Sequence, residues 1–501
     1  MVENQQTEEV VESQATEAVA ETPVYTGFKG KLDNFFGISK MGSNFKTEIL
    51  AGLTTFMAMV YILIVNAGFF AELGPETVTF GAMYISTALA AIVGTLLMAL
   101  LAKLPFAQAS GMGLNTYFVF TLCFTMGYSY ANALLIVLCS GALFLILTVV
   151  GARRAIVRAV PEAIRIAIPA GIGLFIAFIG MQNSGLIIAD PAGTKVALVS
   201  FNLLTFKTSG LAMIGAAVSV LSLILIAILS KLRVKGSIVF GIIGSAILYY
   251  AFAGIGAATG SEACIAMFES ISISNPFTAF KDFGTQAVGE VFINGFKGIS
   301  GSQIFDFIAA MISFAMVDMF DTLGTLMGAS QAAGKDSGLI DDNGEVKNIQ
   351  KALLCDSIAT CTGAILGTST VTTFVESSAG VAEGGRTGLT SLTVAILFAI
   401  AMFLSPIAQL IPSAATAGAL MYVGVLMMGN VVNIDWKDPA AAVPAFLTIS
   451  VMSFAYSISY GIAAGFISYT LIKLCTGKVK DISIVTAILT LVFIFTFLFT
   501  H

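Results

Sequence analysis

This 501-residue chain is poor in charge. Only 11% of its residues are Asp, Glu, Lys or Arg, against roughly 25% in an average soluble protein, while 57% are hydrophobic and the mean hydropathy is +0.94. So little charge cannot cover the surface of a soluble protein of this length, and the chain reads as a polytopic membrane protein. Histidine is the next absence: the single one is the terminal His501, which excludes imidazole from any proton relay inside the membrane. The six cysteines (Cys123, Cys139, Cys264, Cys355, Cys361 and Cys475) lie mostly in apolar runs without metal-ligand spacing. They are read as small packing residues, and neither a metal nor a cofactor is expected. No Arg or Lys falls within a central span, so a simple anion is a poor candidate for cargo.

The formal charge of −5 is also local, because the first 21 residues hold six glutamates and no Lys or Arg. Without them the chain is close to neutral, and nothing in it suggests a nucleic-acid surface. That head lacks the basic start and apolar stretch of a signal peptide. Residues 1–33 are therefore expected to form an uncleaved, disordered cytoplasmic tail, solubilising or, alternatively, a regulatory docking segment.

What the chain has in quantity is apolar runs near the length that crosses a bilayer. They fall at about 48–70, 79–102, 131–151, 164–184, 209–230 and 236–256, and again at 303–329, 350–366, 388–405, 414–431, 439–455 and 457–474, with a last run at 482–499. Two further segments, PFAQASGMGLNTYFVF from Pro105 and GTSTVTTFVESSAGVAEGG from Gly367, are short, broken and correspondingly placed in the two halves. Paired interruptions of this kind point to a transporter's binding site, since unwound backbone is tolerated only where it lines a cavity. Counting each as a crossing gives seven spans per half. An odd number makes the halves inverted in topology, and GSIVFGIIGSAILYY in the first half echoes YSISYGIAAGFISYTL in the second. Residues 482–499 then lie outside the repeat, as an extra span or a helix along the membrane.

Basic residues orient the chain. With a cytoplasmic N-terminus, Lys103, Arg153, Arg154, Arg158, Arg165, Lys231, Arg233, Lys235, Lys335, Lys347, Lys351, Arg386, Lys473, Lys478 and Lys480 fall inside, and only a few such as Lys195, Lys207, Lys281 and Lys297 fall outside. The resulting division is a first repeat at 34–257, an extracellular loop at 258–302, a second repeat at 303–475 and a hydrophobic C-terminal helix at 476–501.

The candidate chemistry sits in AAMISFAMVDMFDTLGTLMG, residues 309–328, where Asp318 and Asp321 interrupt an apolar run. Carboxylates at bilayer depth are costly and persist where they face a cavity, pair, or carry protons and substrates. On a helix Asp318, Asp321, Thr322 and Thr325 share one face. Two carboxylates a turn apart at low dielectric cannot both ionise cheaply, which suits a proton carrier. A third acid, Glu376, stands where the β-branched TVTT stretch gives way to a half-helix, with Thr373 and Phe374 beside it. It either faces a ligand's N–H donors or caps the helix. In the first half Asn115 offers an acceptor and two donors, or a cap, while Tyr117 and Phe118 offer rings. A carboxylate-rich, histidine-free site with aromatics suits a planar neutral solute bearing N–H donors. A purine base such as guanine, pairing N1–H and N2–H with one carboxylate, has that form.

The segments DMFDTLGTLMG, GTSTVTTFVESSAGVAEGGRTGLTSL, ASGMGLNTYF and TTFMAMVYILIVN resemble the adenine/guanine/hypoxanthine permease family. This is the azaguanine-permease-like branch of the nucleobase:cation symporters, which also include uracil and xanthine permeases. The resemblance runs from about residue 34 to 475. It implies fourteen spans in two inverted seven-span repeats, divided into core and gate domains, with broken third and tenth spans, and proton-coupled purine uptake across the plasma membrane. It further implies that Asp318 and Glu376 bind the base, that Asp321 is another essential acid, that Asn115 contributes from the third span, and that a homodimer is the assembly. The uracil branch has a histidine on its eighth span; this chain has none there, which leaves proton carriage to the acids. An intramembrane aspartyl protease would need its acids on facing helices and a GxGD segment, both missing, so no enzyme is expected. An anion exchanger or channel on a related inverted-repeat fold is the alternative.

Overall fold

The computed structural model describes residues 26–151, 160–189, 196–202, 206–269, 275–299, 303–334, 337–341 and 345–499. The glutamate-rich head up to residue 25, His501, and Arg153, Arg154, Arg158, Lys195 and Lys335 of the orientation argument lie outside them. Ten helices among the described residues are long and apolar enough to cross a membrane, and shorter apolar helices accompany them. In the first half the elements are α1 (Phe45–Met59), α2 (Ile62–Ala71), α3 (Phe80–Leu97), β1 (Gln108–Ser110), α4 (Met112–Thr116, continuing as a wider helix to Thr125), α5 (Tyr130–Val149), α6 (Glu162–Asn183), a hairpin of β2 (Ile187–Ala189) and β3 (Val196–Leu198), α7 (Phe206–Lys231) and α8 (Ser237–Ala258). In the second half they are α9 (Ile304–Ala332), α10 (Ile349–Leu366), β4 (Val371–Thr373), α11 (Ser377–Ala382), α12 (Gly388–Ala401), α13 (Ser413–Met428), α14 (Pro439–Phe454), α15 (Ile458–Cys475) and α16 (Ile484–Phe499).

The two broken segments are each a three-residue strand followed by a helix, and they meet. β1 and β4 pair antiparallel, Gln108 opposite Thr373, Ala109 opposite Thr372 and Ser110 opposite Val371. The ladder extends through Gly111 N to Thr370 O (2.9 Å) and Phe374 N to Ala107 O (3.0 Å). Unwound backbone inside a membrane has no water to bond, so each strand supplies what the other lacks. Hydroxyls complete the accounting: Ser391 donates to Leu104 O and Phe106 O, Ser377 accepts from Ala107 N, and Thr95 bonds both backbone groups of Gln108. Neighbouring helices come close enough to need glycine here. A Cβ on Gly363 of α10 would lie 2.6 Å from Ser369 O.

Two packing groups surround this crossing. α1, α2, α3, α5, α9, α10, α11 and α12 contact one another around the strands, while α6, α7, α8, α13, α14 and α15 form a second set. In the second set α6 and α13 approach backbone to backbone: a Cβ on Gly173 would lie 2.7 Å from Gly424 O and 2.8 Å from Met427 Cβ. Small residues at such crossings let helices exploit van der Waals packing where no hydrophobic drive exists.

Three details differ from the sequence reading or complete it. Residues 27–33, placed in the acidic tail, belong to a helix, Gly27–Phe36; Phe36 and Ile38 are buried against Leu389, and Lys103 donates to Phe35 O while lying 4.1 Å from its ring centroid. The 258–302 loop contains short helices at Glu262–Glu269, Pro276–Asp282 and Glu290–Ile293. The final run, α16, packs lengthwise on α15, for Tyr460 meets Phe497, Phe466 meets Phe493 and Thr470 meets Thr490. Rising numbers on one helix pair with falling numbers on the other, so α16 runs antiparallel beside α15. Cys475, at the end of α15, is exposed rather than packed.

Replacing Gly173 by Leu is expected to force α6 and α13 apart at a cost of about 1–3 kcal/mol. The detergent-solubilised protein should melt several degrees lower, whereas Ile400→Leu, at a position 59% exposed, leaves the melting temperature unchanged.

Candidate functional site

Where the strands cross, α9 and α10 face each other through two matched hydrogen bonds. Asp318 and Thr322 stand one turn apart on α9; Asp356 and Thr360 stand one turn apart on α10. Thr360 donates to Asp318 Oδ2 (3.0 Å) and Thr322 donates to Asp356 Oδ1 (2.6 Å). Thr322 also bonds Thr372 Oγ1 (2.8 Å) and accepts from Thr373 N (3.3 Å), so it joins α9 to the strand β4. Gln108 of β1 closes the network, its amide donating to Asp356 Oδ1 and to Thr373 Oγ1, both at 3.2 Å. Asp318, Thr322, Asp356, Thr360, Thr373 and Gln108 are all buried.

Glu376 occupies the N-cap position of α11, but its side chain caps nothing. Its Oε1 instead accepts a 2.6 Å hydrogen bond from the hydroxyl of Tyr61. Tyr61 sits in the break between α1 and α2, where the chain turns before resuming its helix, and is itself buried. Glu376 and Asp321 are only half-buried, and Val375, which stands between Glu376 and the buried Phe374, is 52% exposed. Asp321 lies within electrostatic reach of Asp318 and Glu376. The structure thus brings the three acids nominated from sequence into one neighbourhood, with Asp321, Val375 and Glu376 on its accessible side and Asp318 on its inner side.

The other nominated residues lie around this centre with their polar atoms engaged. Asn115 accepts from Ser110 Oγ (2.8 Å) and donates to Ser110 O (3.3 Å), which pins the start of α4 to β1. Tyr117 shares its hydroxyl with Ser459, which in turn bonds Ser313 at 2.9 Å, and its ring lies 5.0 Å from that of Phe314. Phe118 packs on Phe70 and Tyr130, and Phe374 is core. Gly111 and Gly380 are close-packing positions, Gly111 against Thr372 and Gly380 against Thr55 and Ala51.

The sequence reading missed Asp356, Gln108 and Tyr61. Asp356 carried a signal, as a lone acid inside the apolar run 350–366, and the rule that picks out Asp318 applies to it equally. Gln108 lay within the broken segment beginning at Pro105. Tyr61 lay within the resembling segment TTFMAMVYILIVN, but nothing in its local sequence set it apart from other aromatics in apolar spans. Another buried acid, Glu48, serves the scaffold: it accepts from Arg386 N (3.0 Å), Thr387 N (3.2 Å) and Thr390 Oγ1 (2.6 Å), fastening α1 to the start of α12.

Chemically the arrangement can offer a half-buried carboxylate, oriented by a tyrosine hydroxyl, to a ligand's N–H donors, with a second carboxylate beside it and a hydroxyl-bonded reserve of two more behind. Two clefts flank it between the packing groups. One of about 260 Å³ is lined by Thr54, Ala58 and Ala379 against Ser230 and Ser237, and another of about 170 Å³ by Ile64, Gly68 and Phe69 against Asn183 and Leu420.

Comparison with known proteins shows the family. A family profile described as "Permease family" matches residues 46–464. The guanine/hypoxanthine permease PbuO of Bacillus subtilis is 40% identical over 451 residues, covering 89% of this chain and 96% of that protein. The adenine permease AdeP of Escherichia coli is 35% identical, covering 95% and 97%. Among solved structures, the transmembrane domain of the cyanobacterial bicarbonate transporter BicA aligns with a TM-score of 0.56 at 14% identity, covering 84% of this chain and 97% of that one. The murine anion transporter Slc26a9 in its inward-facing state aligns with a TM-score of 0.56 at 12% identity, covering 93% and 75%. These two likenesses are of fold alone. The chain therefore belongs to the permease family, as a multi-pass membrane transporter and not an enzyme.

Proposed function

We propose that this protein imports purine nucleobases across the plasma membrane by alternating access, driven by protons. The observation that carries the reading is the Tyr61–Glu376 pair: a half-buried carboxylate, fixed in direction and not spent on capping, beside a second half-buried acid. One carboxylate receives two adjacent N–H donors of a base in a bidentate pair. The relatives named as guanine/hypoxanthine and adenine permeases support purines as the class. Glu376 is the base-binding acid in this proposal, with Asp321 alongside it and Asp318 behind. Asn115, Thr373, Phe374 and Tyr117 set the walls, and the group Asp318, Asp321 and Glu376 carries the proton. The anion alternative lacks a cationic side chain among the contacts described at the site.

In the finer architecture we propose, the strand-containing segments count as crossings, giving fourteen spans in two inverted repeats with a cytoplasmic N-terminus. The antiparallel pairing of β1 with β4 supports this, because equivalent segments of inverted repeats run in opposite directions where they meet. The group built around the strands would be the core and the second set the gate, the core moving against the gate to expose the site to either side.

Cells lacking their own purine permeases provide the test. Glu376→Gln and Asp318→Asn are expected to abolish uptake of radiolabelled guanine and hypoxanthine while the protein still reaches the membrane; undiminished uptake in both would sink the reading. Tyr61→Phe removes a hydrogen bond to a charged group, worth about 1.5 kcal/mol, so KM should rise about tenfold with a smaller change in the maximal rate. A proton ionophore should stop accumulation against a gradient while leaving equilibration, and persistence of accumulation would remove proton coupling from the proposal. Competition by adenine, guanine, hypoxanthine and uracil ranks the substrates.

A further inference from the structure

The half-helix α11 has an acid at each end. Glu376 precedes it and is held by Tyr61; Glu383 is its C-cap residue, and Glu383 Oε2 lies 2.7 Å from Lys235 Nζ. Lys235 belongs to the turn between α7 and α8, in the second packing group, whereas α11 belongs to the first. Other ion pairs among the described residues, Arg165 with Glu162 and Lys473 with Asp481, each stay within one segment. Lys235 and Glu383 are 148 positions apart and join the two groups.

The surrounding geometry is built for this contact. The turn that presents Lys235 uses two left-handed residues, Arg233 (φ 57°) and Gly236 (φ 74°), a conformation that favours glycine. A Cβ at Gly236 would lie 3.1 Å from Met57 Cβ on α1, so the turn rests directly on the first group. Both Lys235 and Glu383 border the 260 Å³ cleft. On the other side, Arg386 Nη1 donates to Val381 O (2.6 Å) and Gly385 O (2.8 Å), which fixes the segment carrying Glu383 to the end of α11. One short helix therefore connects Glu376 to the contact that borders the cleft.

We propose that Lys235 and Glu383 are positioning residues for transport: their ion pair ties the two packing groups together across the 260 Å³ cleft and keeps it from widening, and α11 couples breakage of the pair to movement at Glu376. The side chains are 46% and 29% exposed, and a pair in such a setting is weak. Weakness suits a contact that has to form and break in every cycle. The proposal rests on the transport reading, but the lock itself is scored without substrate.

The experiment places a cysteine at Ala58, which is half-buried beside the cleft, in full-length protein whose exposed Cys475 is replaced by Ser. Labelling by a membrane-impermeant maleimide is followed in membrane vesicles of both orientations. Arg233 also borders the cleft and could rescue Glu383 when Lys235 is changed, so both reversals are made. Lys235→Glu and Glu383→Lys should each speed labelling about fivefold, the ratio that a contact near 1 kcal/mol produces, in vesicles of one orientation only. The exchanged pair, Lys235→Glu with Glu383→Lys, should return the rate to within about twofold of the parent. Uptake should follow, with the maximal rate falling in each single reversal and recovering in the exchange while KM changes less. Unchanged labelling in both single reversals, or an exchange that behaves like the sum of its parts, overturns the lock. Absence of purine uptake in the parent overturns the transport reading and with it the coupling to Glu376, while the labelling still decides the lock.

Discussion

Everything in this structure depends on hydrogen-bonding two stretches of unwound chain where there is no water to do it. Six residues, Gln108–Ser110 and Val371–Thr373, give up helical bonding in the middle of an apolar protein. Each strand answers for the other, and hydroxyls from Thr95, Ser377 and Ser391 answer for the backbone around them. The return is a pair of half-helices whose starts stand beside the acids of α9 instead of at the membrane surface. Close helix packing, glycines at the approach points and the extended chain at Val371–Thr373 all serve the backbone pairing at that crossing.

The acids divide along the same line. Asp318 and Asp356 take hydroxyl partners across α9 and α10, a threonine opposite each. Glu376 and Asp321 keep some contact with the space outside the protein interior. One pair is therefore built into the scaffold and one is left available, from residues that differ little in composition.

Much of this was legible in the chain. Apolar runs located the helices, and the corresponding interruptions at Pro105 and Gly367 located the crossing, because glycine, proline and β-branched residues break helices for local reasons. Asp318, Asp321 and Glu376 were legible because a carboxylate in an apolar run has few reasons to be there. The role of Tyr61 was not, since a tyrosine is at home in a membrane helix and only tertiary contact shows where its hydroxyl goes. Nor could sequence reveal that Glu376 leaves its cap position unused, or that residues 27–33 fold back on Leu389, since both depend on segments more than 300 positions away. The placement of α16 against α15 was likewise undecidable from hydropathy, which reads length and not neighbours.

The two Asp–Thr contacts between α9 and α10 have a consequence for how these helices can travel. Because the acid stands first on one helix and first on the other, the antiparallel pairing matches unlike groups only in the observed alignment. Sliding by one turn would set Asp318 against Asp356 or Thr322 against Thr360, leaving acid facing acid or hydroxyls without their acceptors. The interface behaves like a coded key with a single valid setting. Helices α9 and α10 therefore have no neighbouring notch to slip into, and any rearrangement that keeps both bonds has to move them together.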